Sequence, residues 1–255
     1  MSPAFDETLL SRIEDAGLNA SAPPQQRWLD GWLVRFSPGK AKRARCVNAV
    51  AAGRLPVDRK LALCAPIYEQ AGLPLYVRLT PFSVPRDLDA RLAELGMQQQ
   101  DDTRVMVRTS IKPFPEPAPV ALRLERLPHR AFAETVGRFR GSSLAEREAH
   151  AQRLAESPVP FSAFALIDPD GKAAACGQMA LEGEIAGLYD VFTEAPRRGR
   201  GLATHLCSRL LQEARTLGAK TAYLQVEASN AAARRVYRQL GFEDAYAYHY
   251  RTPAA

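Results

Sequence analysis

Lysine is scarce in this 255-residue chain: of 34 basic residues, 6 are lysine and 28 are arginine. Basic charge is not gathered anywhere either. Residues 1–117 carry 16 basic against 13 acidic side chains, and residues 118–255 carry 18 against 15. A nucleic-acid or anionic-membrane surface concentrates its charge, so neither specific nucleic-acid binding nor membrane attachment is expected. No apolar run approaches the 18 or more residues of a spanning helix. The opening MSPAFDETLL has acids where a signal peptide has a basic region, which predicts a cytoplasmic protein. Cysteine is equally sparse. Cys46, Cys64, Cys176 and Cys207 fall in no CxxC or Cys/His spacing, so no metal site or disulfide framework is expected and reduced core thiols are.

What is present is enough apolar sequence, 46%, to bury a core over one large domain or two ordinary ones. Lys112-Pro-Phe-Pro-Glu-Pro-Ala-Pro119 cannot continue a helix or a central strand, and reads as an extended linker over 112–119. It divides the chain into residues 1–111 and 120–255, both of domain size. The halves share a faint repeat. Gln70-Ala-Gly-Leu-Pro-Leu-Tyr-Val-Arg-Leu79 runs parallel to Thr216–Val226, and Leu92-Ala-Glu-Leu-Gly-Met97 to Tyr237-Arg-Gln-Leu-Gly-Phe242, in the same order and at nearly the same offset. Such similarity at a fixed offset is how duplication shows itself.

The second half predicts an α/β order. Strands are expected over Val120–Leu127, Phe161–Ile167, Lys172–Glu182, Glu184–Thr193, Thr221–Val226 and Ala245–Arg251. Helices are expected over His129–Phe139 and Leu144–Glu156, from Gly201 to a C-cap at Gly218, and from a cap at Ser229 or Asn230 to Gly241. Asp168-Pro-Asp-Gly171 is a hairpin signal.

The most informative stretch is Arg198-Gly-Arg-Gly-Leu-Ala203, after a strand and opening a helix. Glycines there permit a tight turn, and the free N–H groups of the first helical turn form a site for phosphate or pyrophosphate, with Arg197, Arg198 and Arg200 adding charge. The spacing fits neither GxGxxG nor GxxxxGK[ST], so the dinucleotide and P-loop readings fail. Downstream, Asn230, Ala233 and Tyr237 fall at i, i+3 and i+7 on one helix face, followed by Leu240-Gly-Phe242.

This pair of motifs, with the strand Leu188-Tyr-Asp-Val-Phe-Thr193 upstream, resembles the GCN5-related N-acetyltransferase (GNAT) superfamily over most of residues 120–252. In that family the Q/R-x-x-G-x-G/A loop binds the acetyl-CoA pyrophosphate, and it matches here at Arg198, Gly201 and Ala203. The resemblance implies two GNAT-like domains, each a twisted, mixed, mostly antiparallel sheet flanked by helices, with a splayed strand pair in the second. Residues 1–111 would be a degenerate copy, since residues 52–57 read Ala-Gly-Arg-Leu-Pro-Val where the loop belongs and Leu92 replaces the tyrosine. Residues 120–255 would be catalytic. By the same resemblance, the backbone of Gly199, Arg200, Gly201, Leu202, Ala203 and Thr204 holds pyrophosphate. The main chain of Val191, Phe192 and Thr193 pairs with pantetheine, Asn230 and Ala233 border the cofactor arm, and Tyr237 is the general acid for the departing thiolate.

The general base stays open among Glu184, Asp190 and Glu227. Cys176 and Cys207 lack a partnered histidine and are set aside as nucleophiles. His249 and its flanking tyrosines read as sheet packing, Trp28 and Trp32 as anchors of a hairpin at Asp30-Gly31, and Lys40–Arg45 as a solvated loop or strand edge. The expected activity is direct transfer from acetyl-CoA to a primary amine. Alternatives are a longer acyl-CoA donor or a non-catalytic acyl-CoA-binding regulator. Small amine, amino acid, antibiotic and protein lysine all stay open as acceptor, with a narrowed cleft favouring a small molecule. Oligomeric state is unread.

Overall fold

The computed structural model describes residues 5–38, 41–112 and 121–254. Apart from Lys112, the proline linker and Val120 lie outside them. The first half contains α1 (Glu7–Ala20), β1 (Gln26–Leu29), β2 (Trp32–Arg35), β3 (Val47–Asn48), α2 (Val57–Gln70), β4 (Val77–Leu79), α3 (Leu88–Glu94) and β5 (Gln98–Arg108). The second contains β6 (Arg123–Leu127), α4 (His129–Arg140), α5 (Leu144–Ala155), β7 (Phe161–Ile167), β8 (Ala173–Glu182), β9 (Ile185–Thr193), α6 (Leu202–Thr216), β10 (Thr221–Glu227), α7 (Ala231–Gln239) and β11 (Glu243–Thr252).

Local chemistry sets these boundaries. Asp30 and Gly31 both adopt positive φ, 43° and 83°, the two-residue turn whose twist suits a tight hairpin, here β1–β2. The Asp168 carboxylate accepts from Lys172 N at 2.8 Å in the β7–β8 turn. Ser143 and Glu146 form a capping box that starts α5. Asn230 caps α7, accepting from Ala233 N at 3.1 Å.

Among the described residues, eleven strands join in one sheet of order β1-β2-β3-β4-β11-β5-β10-β9-β8-β7-β6. The two sheets expected from the two halves are therefore continuous. They also exchange their last strands. β11, from the second half, lies on β4 of the first, and β5, from the first, lies on β10 of the second. Between them β5 and β11 pair antiparallel from Glu243↔Val107 to Thr252↔Gln98. The order is nearly symmetric about that central pair. The α2–β4–α3–β5 succession repeats as α6–β10–α7–β11, and both halves contain a parallel crossover, β3–α2–β4 and β9–α6–β10.

The sheet separates two layers in the second half. On one face Leu206, Leu210 and Leu211 of α6 pack with Leu188, Leu224 and Phe242. On the other, α4 and α5 bury Phe132, Val136 and Leu154 against Ala163, Ala165 and Cys176, while α1 lays Leu10 and Ile13 on Tyr223 and Tyr246. A buried ion pair of the first half is tied to the second: Arg78 of β4 donates to Glu14 of α1, and Tyr246 of β11, across the halves, donates to the same carboxylate at 2.8 Å. Among the described residues, no helix is long and apolar enough to cross a membrane.

Candidate active site

The site begins where two parallel strands part. β9 and β10 pair from Ile185↔Thr221 to Leu188↔Leu224. Past that point β9 stays on β8, whereas β10 follows β5 through Gln225↔Val105 and Glu227↔Thr103. The cause is a bulge. The β8–β9 register shifts between Gln178↔Tyr189 and Cys176↔Phe192, and Asp190 within it adopts φ 51°. Burial along β9 changes at the same place, from buried through Leu188 to half-buried from Tyr189 onward. Val191, Phe192 and Thr193 thus turn one strand edge toward the gap. Val191 packs on the α6 face, while Phe192 lies on the other face beneath the Arg140 guanidinium, 4.5 Å from its ring centroid.

The glycine turn follows directly. Arg197 ion-pairs with Asp168 and with Glu194 at 2.9 Å, which fixes the base of the turn. Arg198, Gly199, Arg200 and Gly201 stand exposed above it. Gly199 and Gly201 have φ of 75° and 72°, and a Cβ at either would point into open space. That is an unobstructed cradle. Leu202 is buried and anchors the helix, but no side chain caps α6 among the described residues, so its first N–H groups face outward. Ala203 and Thr204 follow, half-buried, in that first turn.

The corresponding turn of the first half is closed by the protein itself. The Asp30 carboxylate accepts from Arg54 N at 2.9 Å and Leu55 N at 2.8 Å and pairs with Lys60 at 3.1 Å. Those backbone donors hold Asp30 down at about 2. A Cβ on Gly53 would sit 2.1 Å from Asp30 O, so no ligand group fits where the chain's own carboxylate lies.

Asn230 uses its oxygen as the α7 cap, leaving its amide nitrogen to donate elsewhere. One and two turns on, Ala233 and Tyr237 pack half-buried against the α6 core. The Tyr237 ring meets Phe242 edge-on at 6.2 Å. Burial, and secondarily Cys207, pushes the phenol above its ordinary range, so it keeps its proton at any physiological pH.

The three acids expected near the reacting centre are dispersed. Glu184 lies at the closed end of the ladder, its carbonyl bound by Lys220 N and Thr221 N and its carboxylate paired with Lys220. Glu227 is exposed at the end of β10, its carbonyl accepting from Asn230 N at 3.0 Å. Asp190 is held on both oxygens: Arg140 pairs with one, Gln178 Nε2 donates to the other at 2.7 Å, and His150 approaches within 3.3 Å. Burial pushes this carboxyl up, but His150, Arg140 and Arg153 outweigh it and hold it well below the usual carboxylate range. Cys176 and Cys207 are buried, which pushes each thiol up to about 12.

Other expectations resolve individually. Trp32 is fully buried in the first-half core under Lys60, while Trp28 on the same hairpin is 63% exposed. His249 turns toward α3, with Nε2 2.9 Å from Asp89, while Tyr246, Tyr248 and Tyr250 are buried on the opposite face.

The solvated-loop reading of Lys40–Arg45 needs correction. Lys40 lies outside the described residues, but Arg43 is inserted between the halves. It donates to Gln225 of β10, the first residue beyond the splay, and to Tyr248 at 3.2 Å. With it Arg140, His150, Arg153, Tyr189 and Asp190 line a cavity of about 210 Å³ on the face opposite α6. These residues carry no sequence motif. The local basic run was visible, but its long-range partner was not.

Known proteins resemble this chain in sequence and in fold. Residues 10–251 match the family described as "Probable histone acetyltransferase Rv0428c C-terminal". The chain is 25% identical over 232 residues to the uncharacterized N-acetyltransferase YobR of Bacillus subtilis, covering 89% of this chain and 91% of that one. A GCN5-related N-acetyltransferase from Kribbella flavida shares the fold with a TM-score of 0.65 at 20% identity, over 96% of each chain. A tandem GNAT protein from the clavulanic acid biosynthesis pathway does so with a TM-score of 0.64 at 15% identity, over 82% of this chain and 76% of that one. The chain belongs to the Rv0428c C-terminal family and is a GNAT-type N-acetyltransferase.

Proposed function

We propose that this enzyme transfers the acetyl group of acetyl-CoA to the primary amine of a small molecule, by direct attack with both substrates bound. The observation that carries the reading is the splay beyond Leu188 and Leu224 beside the uncapped N-terminus of α6. Acetyl-CoA brings an acyl group already activated as a thioester; the rest falls to the chain. The N–H groups of residues 199–204 bind pyrophosphate in the open turn, with Arg198 and Arg200 adding positive charge. The edge of Val191–Thr193 that faces the gap hydrogen-bonds the pantetheine amides as an added strand would, Arg198 Nε releasing the Thr193 carbonyl to which it donates at 3.3 Å. Asn230 donates through its amide nitrogen. Tyr237 holds a proton at its hydroxyl for the departing thiolate, and its raised pKa keeps that proton in place until it is needed. No acid is assigned as the base.

The amine enters from the opposite face, through the cavity between the halves. At about 210 Å³ it is smaller than the roughly 300–1,000 Å³ typical of pockets for drug-sized ligands, which favours a small acceptor. The test is thiol release from acetyl-CoA against a panel of small amines and a lysine-bearing histone-tail peptide. Turnover of small amines with the higher kcat/KM supports the reading. Preference for the peptide would contradict the acceptor class, and acetyl-CoA binding without any turnover would point to a regulator.

A further inference from the structure

The cavity walls carry cationic charge that their own acids do not neutralise. Three arginines line it, Arg43, Arg140 and Arg153, with two carboxylates, Glu146 and Asp190. Both acids are engaged: Asp190 by Arg140 and Gln178, and Glu146 by Ser143 in the cap of α5. The Arg43 guanidinium donates only to neutral groups, Gln225 and Tyr248, and its Nε is buried without a partner among the described residues. Arg153 has no hydrogen-bond or ion-pair partner among them. Burial lowers its pKa, and of its charged neighbours Asp190 attracts while Arg43 and Arg140 repel. A buried guanidinium nitrogen without an acceptor, such as Arg43 Nε, is costly, and the half-buried Arg153 beside it has donors to spare, so a bound anion is favoured there.

We infer that the acceptor carries a carboxylate beside its amine, and that Arg153, with Arg43, binds that carboxylate in the cavity between the halves. The inference rests on the acetyltransferase reading above and names its substrate class. Placement supports it. Arg43 sits on Gln225 and Tyr189 lines the same wall, and these are the first residues past the splay on β10 and β9. A carboxylate held at Arg153 therefore leaves the other end of a small amino acid to reach the gap. The unmet acceptor on this wall, Gln178 Oε1, suits an ammonium. The first half, closed to cofactor at Asp30, would thus contribute to acceptor recognition through Arg43.

The test uses the full chain and two readouts. Thermal unfolding is followed with malonate and with malonamide at constant ionic strength, for wild type and Arg153→Gln. Malonate is expected to raise the wild-type Tm saturably where malonamide does not, with affinity at least about tenfold weaker in the variant, the scale of a lost charged hydrogen bond. An equal response to both probes, or an undiminished malonate response in the variant, overturns the inference. If Arg153→Gln does not fold, the wild-type contrast decides alone. The second readout is kcat/KM for amino acids against their decarboxylated amines. A preference for the carboxylate of about tenfold or more, carried in KM and lost in the variant, is expected; equal use of both overturns it. Calorimetry with acetyl-CoA on the same samples separates the two readings. Malonate binding without acetyl-CoA binding would sink the enzyme reading and leave the anion site standing.

Discussion

Leu188 and Leu224 are the last facing pair of the β9–β10 ladder, and both are buried against α6. Beyond them the strands follow different neighbours. The gap is therefore built by the sheet, not left by a missing side chain. The bulge at Asp190 bends β9 onto β8, and β5, from the other half, draws β10 away.

Tyr237→Phe is expected to lower turnover by about 10²-fold or more, within the range for loss of a positioned acid, with acetyl-CoA affinity unchanged. Since burial raises the phenol pKa, the wild-type rate should show no loss from Tyr237 ionisation up to about pH 10, the ordinary tyrosine value. A steady-state pH profile checks both points. Unaltered turnover in the variant would remove Tyr237 from the acid role.

The buried thiols should be inert. With Cys176 and Cys207 pushed up to about 12, their thiolate fractions at pH 8 are far below that of a free cysteine near 8.5. Native protein should take up a thiol reagent orders of magnitude more slowly than unfolded protein, and Cys207→Ala should retain activity. Rapid labelling of either residue with loss of activity would reopen a covalent route.

Glu14 makes stability depend on acid. Burial alone would raise its pKa, but Arg78 and Tyr246 together hold it below its ordinary 4.5. The stabilisation is therefore present above that value and lost as pH falls through the lower folded pKa. Glu14→Gln strands Arg78 in the interior and should cost about 3–5 kcal/mol in urea unfolding. The acid-induced loss of stability should also be shallower in the variant. An unaffected midpoint would mean the pair is not buried as described.

Strand exchange predicts one cooperative unit. Residues 121–255 alone would lack β5, leaving β10 with an open edge, and residues 5–112 alone would lack β11 beside β4. Neither half should give a cooperative thermal transition by itself, whereas the whole chain should unfold in one. Two separated transitions in the whole chain would contradict this.

Much of this was legible in the sequence. Phe161–Ile167 and the helix between Gly201 and Gly218 follow from periodicity and caps that act within a few residues, and the Leu-Gly repeat foretold the matching order of elements in the two halves. What stayed hidden depends on partners beyond the local window, more than a hundred residues away for Gln98–Arg108 and for Arg43. Nothing local in Gln98–Arg108 tells whether it pairs within its own half or across. Arg43 reads as one basic residue among several until Gln225 and Tyr248 are placed beside it. Asp190 was visible as an acid, but its direction was set by a bulge that only the register with β8 defines.

The most direct test of the account is calorimetric titration of acetyl-CoA into wild type and a folded Gly199→Ala/Gly201→Ala variant, which puts methyl groups into the open turn and disfavours its positive φ. One-site micromolar binding to wild type, weakened at least about tenfold in the variant, is the expected result. No binding to folded wild type, or equal binding to both, would contradict the claim that this turn holds the cofactor.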